Sequence, residues 1–193
     1  MLSLIHLAFL ALAFFSASTP SVHGRELWLE RNNRAIHLHP RRFGQNHPAV
    51  LEKLRAACGG GVCAKLAGAA VTPLLAKQGE CTQQDMADQI INTSKQFNGT
   101  TQAAMLAIAI EYRQTEKNTP PDFKTKPETF RNSVFCQTAP KNPELNGLVQ
   151  AQDPANDPNV FFDPAMGESV QLGAQANTRP FDDGAAGNST GSA

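Results

Sequence analysis

Beyond His47 the chain has no histidine, and its 193 residues include a single tryptophan, Trp28, and a single tyrosine, Tyr112. A serine or cysteine nucleophile is usually activated by an imidazole base, so most of the chain lacks the commonest partner for that chemistry. H-E-x-x-H does not occur, and the one G-x-S-x-G match, residues 187–191, lies in a Gly/Ala/Ser-rich stretch without the sequence pattern of the strand and helix that a nucleophile elbow needs on either side. So few tryptophans and tyrosines leave little for a sugar-stacking platform. Excess charge is absent too: 17 basic residues balance 17 acidic ones. That argues against nucleic acid, whose binding needs a phosphate-neutralising basic surface. No apolar run after residue 18 is long enough to span a bilayer, and residues 184–193 lack the hydrophobic tail of a lipid-anchor signal. No cofactor and no membrane are expected.

The first 18 residues read as a secretory signal, with an apolar run from Leu7 to Phe15 followed by small residues, although no Lys or Arg precedes that run. Cleavage is expected after Ser18, with Gly24 as the alternative, and the protein is expected to be secreted and extracellular. Residues 19–47 form a basic, irregular segment. Arg41-Arg42 could be cut by a dibasic-processing protease, making 19–42 a pro-segment, or could be two solvated arginines. His37, His39 and His47 lie close enough to suggest zinc or copper, but no fourth ligand has fixed spacing, so no metal is expected.

The foldable part spans 48–181 as one small domain, organised around Cys81–Tyr112. Met86, Ile90, Thr93 and Phe97 share one helical face opposite Asp85, Asp88, Asn92 and Lys95. Thr82 and Asp85 are spaced as a capping box, and Asn98-Gly99 is placed to close the helix. A second helix from Thr100 or Thr101 carries an apolar run, Ala103–Ile110, that predicts burial on several sides. The expectation is a mainly α, disulfide-stapled domain on an αα-hairpin over about 82–117, with core residues Met86, Ile90, Phe97, Met105, Leu106, Ile108, Ile110 and Tyr112. Shorter helices are expected at 48–57, closed by Gly59–Gly61, and at 64–70, broken near Pro73. Nine prolines from Pro120 to Pro180 predict an irregular wrap, with brief strands at 134–135, 160–162 and 170–172. Residues 182–193 read as a disordered tail.

Four cysteines allow three pairings. A local Cys58–Cys63 bridge spans a glycine-rich turn easily, leaving Cys81 with Cys136; zinc held by four thiolates is the rival but lacks paired C-x-x-C spacing. Asn92, Asn98 and Asn188 head N-x-S/T sequons for glycosylation. Asp153, Asn156, Asp157, Asn159 and Asp163 superficially resemble a calcium loop without its central Gly or closing Glu. Carboxylate pairs exist at Asp85 with Asp88, and at Glu111 with Asp122 or Glu128. A glycosidase would need such a pair across a cleft, but a cap and solvated helix positions explain them as well.

Four segments, QGECTQQDMADQI (78–90), EYRQTEKNTPPDF (111–123), the run 131–164 and SVQLGAQANTRPF (169–181), resemble an uncharacterised family of small secreted proteins of filamentous fungi. The likeness covers about 71–181. It implies an effector candidate or an extracellular protein, assigns no catalytic or binding residues, and favours Cys81–Cys136 as a bridge. Two functions remain. One is a monomeric extracellular protein that binds a host protein or a cell-wall component; the other is a small hydrolase using a carboxylate pair.

Overall fold

A computed structural model describes residues 27–31, 34–38 and 47–181. The signal sequence 1–18 with both cleavage points, His39, Arg41, Arg42, Asn188 and the tail 182–193 lie outside the described residues.

The chain divides into two units, residues 1–39 and 40–193. In the first, β1 (Leu27–Arg31) pairs antiparallel with β2 (Arg34–Leu38), from Leu27 opposite Leu38 to Arg31 opposite Arg34. This corrects the expectation that 19–47 is irregular throughout. Leu27, Trp28, Leu29 and Ile36 have strand propensity, and the two-residue separation Asn32-Asn33 is the spacing of a tight hairpin. The interspersed arginines hide that pattern in the sequence.

The second unit begins with α1 (Ala49–Ala56), α2 (Gly61–Ala69), α3 (Thr82–Ser94) and α4 (Gly99–Arg113). Leu54, Leu66, Met86, Ile90, Ile91, Met105, Ile108 and Tyr112 are buried together, while Phe97, Leu106 and Ile110 pack half-buried against them. The Tyr112 hydroxyl donates to the Ala70 carbonyl at 2.7 Å and so ties α4 to the end of α2. Three expectations about this hairpin need correction. Thr82 lies inside α3 and makes no cap; its hydroxyl donates to the carbonyls of Pro73 and Gly79, both at 3.2 Å. The first helix ends at Ser94, and Gly99 (φ +57°) opens the second helix. Finally, α4 is not buried all round, because Ala103, Ala104 and Ala107 face outward. Alanine exposes little apolar surface and has the best helix propensity, so a uniformly apolar run coexists with a wet face.

The fold is mainly α only as far as Arg113. The Pro-rich half contains a three-stranded sheet in the order β3-β4-β5, from β3 (Arg131–Ser133), β4 (Asp157–Asp163) and β5 (Glu168–Gln171). β3 runs parallel to β4, and β4 antiparallel to β5. Val134, Phe135, Phe161 and Val170 form a second apolar cluster, with the Phe135 and Phe161 rings 6.1 Å apart. The Gln152 side chain accepts from the Ser133 amide at 3.0 Å and donates to its carbonyl at 2.8 Å. One side chain thereby satisfies the backbone groups that a neighbouring strand would otherwise take.

Three Asp-Pro pairs punctuate this half. Asp153, Asp157 and Asp163 each accept the amide two residues on, at 2.8, 2.9 and 2.7 Å. Proline between them has a fixed φ and no amide of its own, which suits an Asx turn. Asn156 donates to the Arg131 carbonyl and to Asn132 Oδ1. The residues that resembled a calcium loop thus serve as turn and strand ties.

The halves are joined by buried polar groups and by a disulfide. Cys81 at the start of α3 is bridged to Cys136 just after β3, and Cys58 is bridged to Cys63 across the glycine turn. Arg113 donates to Gln84 at 3.1 Å and to Gln150 at 3.4 Å; Gln150 in turn donates to Ser133 Oγ and to the Val134 carbonyl.

Candidate functional site

The chain after α4 turns outward at Pro120-Pro121 and returns at Phe130, forming a loop closed by paired backbone bonds between Asp122 and Thr129. Thr125 reinforces it, its hydroxyl donating to the Asp122 carbonyl at 2.9 Å and accepting from the Thr129 amide at 2.9 Å. The base of this loop and the β4–β5 hairpin enclose a cleft of about 240 Å³. Its floor is Arg131, whose guanidinium lies 4.7 Å from the centroid of the Phe162 ring. Arg131 Nε donates to the Pro120 carbonyl at 2.8 Å and Nη1 to Ser169 Oγ at 2.6 Å, while Asp122 Oδ2 is 3.5 Å from Nη1. Ser169 donates onward to Asp122 through a short hydrogen bond. At the rim, Lys124 pairs with Glu168 at 2.7 Å.

Electrostatics follow from these contacts. The Ser169 hydroxyl, helped by the Lys124 amide and the Arg131 charge, holds the Asp122 carboxyl below its usual range. Burial lowers Arg131 from its ordinary value, with Asp122 opposing. The hydrogen bond between Lys124 and Glu168 raises the lysine and lowers the acid. All four groups keep their charges near neutral pH, so the cleft presents fixed opposite charges in two pairs. Phe123, 57% exposed, is part of its lining, and Phe130, 51% exposed, is the residue before Arg131 in the chain.

The other carboxylates that the sequence singled out go elsewhere. Asp88, expected to be solvated, is 2% exposed; it accepts the amides of Lys141 (3.0 Å) and Asn142 (2.8 Å) and the Asn142 side chain (2.7 Å). Its position looks solvent-facing only until the later segment 141–142 packs over it. Asp85 is exposed and pairs with Lys141 at 3.3 Å; together they line a shallow polar groove on α3 that also contains Asn92. Glu111 is held by Lys53 at 2.8 Å, and Glu128 is exposed. Asp85 and Asp88 are therefore neighbours with different tasks, and neither Glu111 nor Glu128 lines the Asp122 cleft. Asn92 and Asn98 are both exposed, in the last turn of α3 and at the residue before α4. His47 is exposed, and His37 lies on β2. Among the described residues no group of three or more His, Cys, Asp or Glu is placed to hold a metal, and no helix is long and apolar enough to cross a membrane.

Reading the sequence alone overlooked Arg131, Ser169, Lys124 and Glu168. Arg131 leaves a trace there, a charge three residues before the apolar pair at 134–135; Ser169 leaves none.

A second buried cation lies outside the cleft. Lys117, 1% exposed, donates to the Gly79 carbonyl. Burial, with Arg113 adding to it and Glu80 opposing, brings its pKa down to about 8. A lysine lowered from about 10.5 in the unfolded chain binds its proton more tightly there than in the folded one, so stability rises as pH climbs through that window. Urea midpoints are expected to increase from pH 8 to pH 10 by the equivalent of about 2 kcal/mol. Tyr112, which burial raises, begins to oppose this only near pH 10. Lys117→Met should flatten the rise; a flat wild-type profile would contradict the assignment.

Comparisons of this chain with models of protein families, with curated proteins and with solved structures give no match.

Proposed function

We propose that the protein acts outside the cell by binding, as a secreted protein that engages a host protein or a cell-wall component through the Asp122–Arg131 cleft and its phenylalanine rim. The observation that carries this reading is a braced, charge-paired cleft whose lining includes Phe123, more than half exposed, with the similarly exposed Phe130 next to Arg131 in sequence. Exposed aromatics beside fixed polar groups are the usual anchors of a recognition surface. Two disulfides suit an oxidising compartment, residues 1–18 read as a secretory leader, and the resemblance to small secreted fungal proteins points the same way. The monomer is taken as the acting form. Binding is preferred to hydrolysis because the two carboxylates that line the cleft, Asp122 and Glu168, are each tied to a cation, Arg131 and Lys124, so neither is free to act as the acid or base of a hydrolytic pair.

Retention of the purified protein on isolated cell walls, and capture of partners from host extracellular fluid, test the surface. The double variant Phe123→Ser, Phe130→Ser is expected to lose about tenfold or more in affinity, while Asp85→Asn and Glu111→Gln keep it. Unchanged binding by the double variant, or its loss in Asp85→Asn, would move the site away from the cleft.

A further inference from the structure

The cleft also carries information about its ligand. Five charged side chains line it: Lys77, Lys124, Arg131, Asp122 and Glu168. Asp122 offsets Arg131 and Glu168 offsets Lys124, and among the described residues Lys77 has no carboxylate partner. The cleft is therefore one positive charge in excess, and that charge is carried by an exposed side chain. A ligand bearing one negative charge fits this balance. A phosphate dianion does not: Arg131 has already spent Nε on the Pro120 carbonyl and Nη1 on Ser169 and Asp122, and two carboxylates in the wall repel a second negative charge.

The rest of the lining selects for shape. Glu168 accepts and Lys124 donates at the rim, and both are well exposed. Adjacent donors and acceptors match hydroxyl groups, each of which can do both. Pro120, Pro121 and Phe123 add an apolar wall suited to the C–H face of one ring, a small surface that the scarcity of tryptophan and tyrosine gave no reason to expect from the sequence. A volume of about 240 Å³ is below the range for drug-sized ligands, so it accommodates one ring.

We infer that the cleft between Pro120–Lys124 and Glu168 binds a single sugar ring carrying one carboxylate, a uronic acid, with Lys77 receiving the carboxylate. This rests on the binding role proposed for the same cleft. The uronic acid can be a free monosaccharide or the accessible unit of an acidic polysaccharide, and both present the same chemistry.

Titration of the ¹⁵N-labelled full-length protein with galacturonate, galactose, acetate and a short oligogalacturonide separates the alternatives. Galacturonate is expected to shift amide signals of residues 76–78, 120–131 and 167–169, with a dissociation constant on the order of millimolar. Galactose and acetate should each bind about tenfold more weakly or worse, since each lacks half of the recognised features. Lys77→Gln, an exposed change that leaves the fold intact, should weaken galacturonate about tenfold without altering the spectrum elsewhere. Equal affinity for the oligomer and the monomer would identify one ring as the whole ligand; tighter oligomer binding with the same footprint would identify a polysaccharide unit. No shifts in these segments at tens of millimolar (roughly tenfold over the expected constant), an equal response to acetate, or wild-type affinity in Lys77→Gln would overturn the inference. If wall or partner binding still depends on Phe123 and Phe130 in that case, the ligand class is wrong and the surface stands; if that dependence is also missing, both fall.

Discussion

Replacing Cys81 and Cys136 together by serine is expected to destabilise the protein by about 4 kcal/mol, against about 2 kcal/mol for the same change at Cys58 and Cys63. The difference comes from sequence separation, 55 residues in one case and 5 in the other, because a longer closed loop removes more entropy from the unfolded chain. The longer bridge also joins the start of α3 to the segment leaving β3, so it couples the helical half to the sheet half. Urea unfolding of the two double variants, followed by far-UV and by near-UV signals, checks both the size and the order. A smaller loss at 81/136 than at 58/63 would contradict the account. Peptide mapping without reduction should recover the Cys81–Cys136 link, and a free thiol at Cys136 would exclude it.

Asp88→Ala is expected to cost roughly 3 to 5 kcal/mol. The carboxylate is the acceptor for two backbone amides and one side-chain amide of Lys141 and Asn142, and its removal leaves buried donors without partners. Asp88→Asn retains one acceptor oxygen and should cost about half as much. Asp85→Asn, three residues earlier and exposed, should change stability by less than about 1 kcal/mol. Equal effects at 85 and 88 would mean that both positions are solvated, as helix-face geometry alone suggests.

That pair illustrates where the sequence is legible and where it is not. Periodicity places Met86, Ile90, Met105, Ile108 and Tyr112 in one core because they repeat at helical spacing, and all five are buried. It fails for Asp88, since α3 is covered on that side by residues 141–142, more than 50 positions away, and a local pattern carries no record of them. For the sheet it succeeds in part: the brief strands expected at 160–162 and 170–172 fall on β4 and at the end of β5, whereas 134–135 lies just beyond β3 and the pairing has no local signature. β3 and β4 meet in parallel across a long connection, whereas turn residues announce only local hairpins, so prolines made this half look irregular. The Asp122–Arg131 cleft is harder still. Its members come from the short 3-10 turn at 76–78, the 120–124 turn, β3, β4 and the β4–β5 hairpin, and of its charged members only Asp122 stood out in the sequence, as one half of a supposed carboxylate pair. Its partner is in fact a guanidinium held by a serine hydroxyl, a combination without a sequence spacing of its own.

The account's central claim, recognition through this cleft, is tested most directly by hydrogen–deuterium exchange of the whole protein with and without solubilised cell-wall fragments or a captured host partner. The expected result is added protection confined to residues 76–78, 120–131 and 167–169, and its loss in Phe123→Ser, Phe130→Ser. Protection centred on the Asp85–Gln96 face of α3, with none at 120–131, would contradict it.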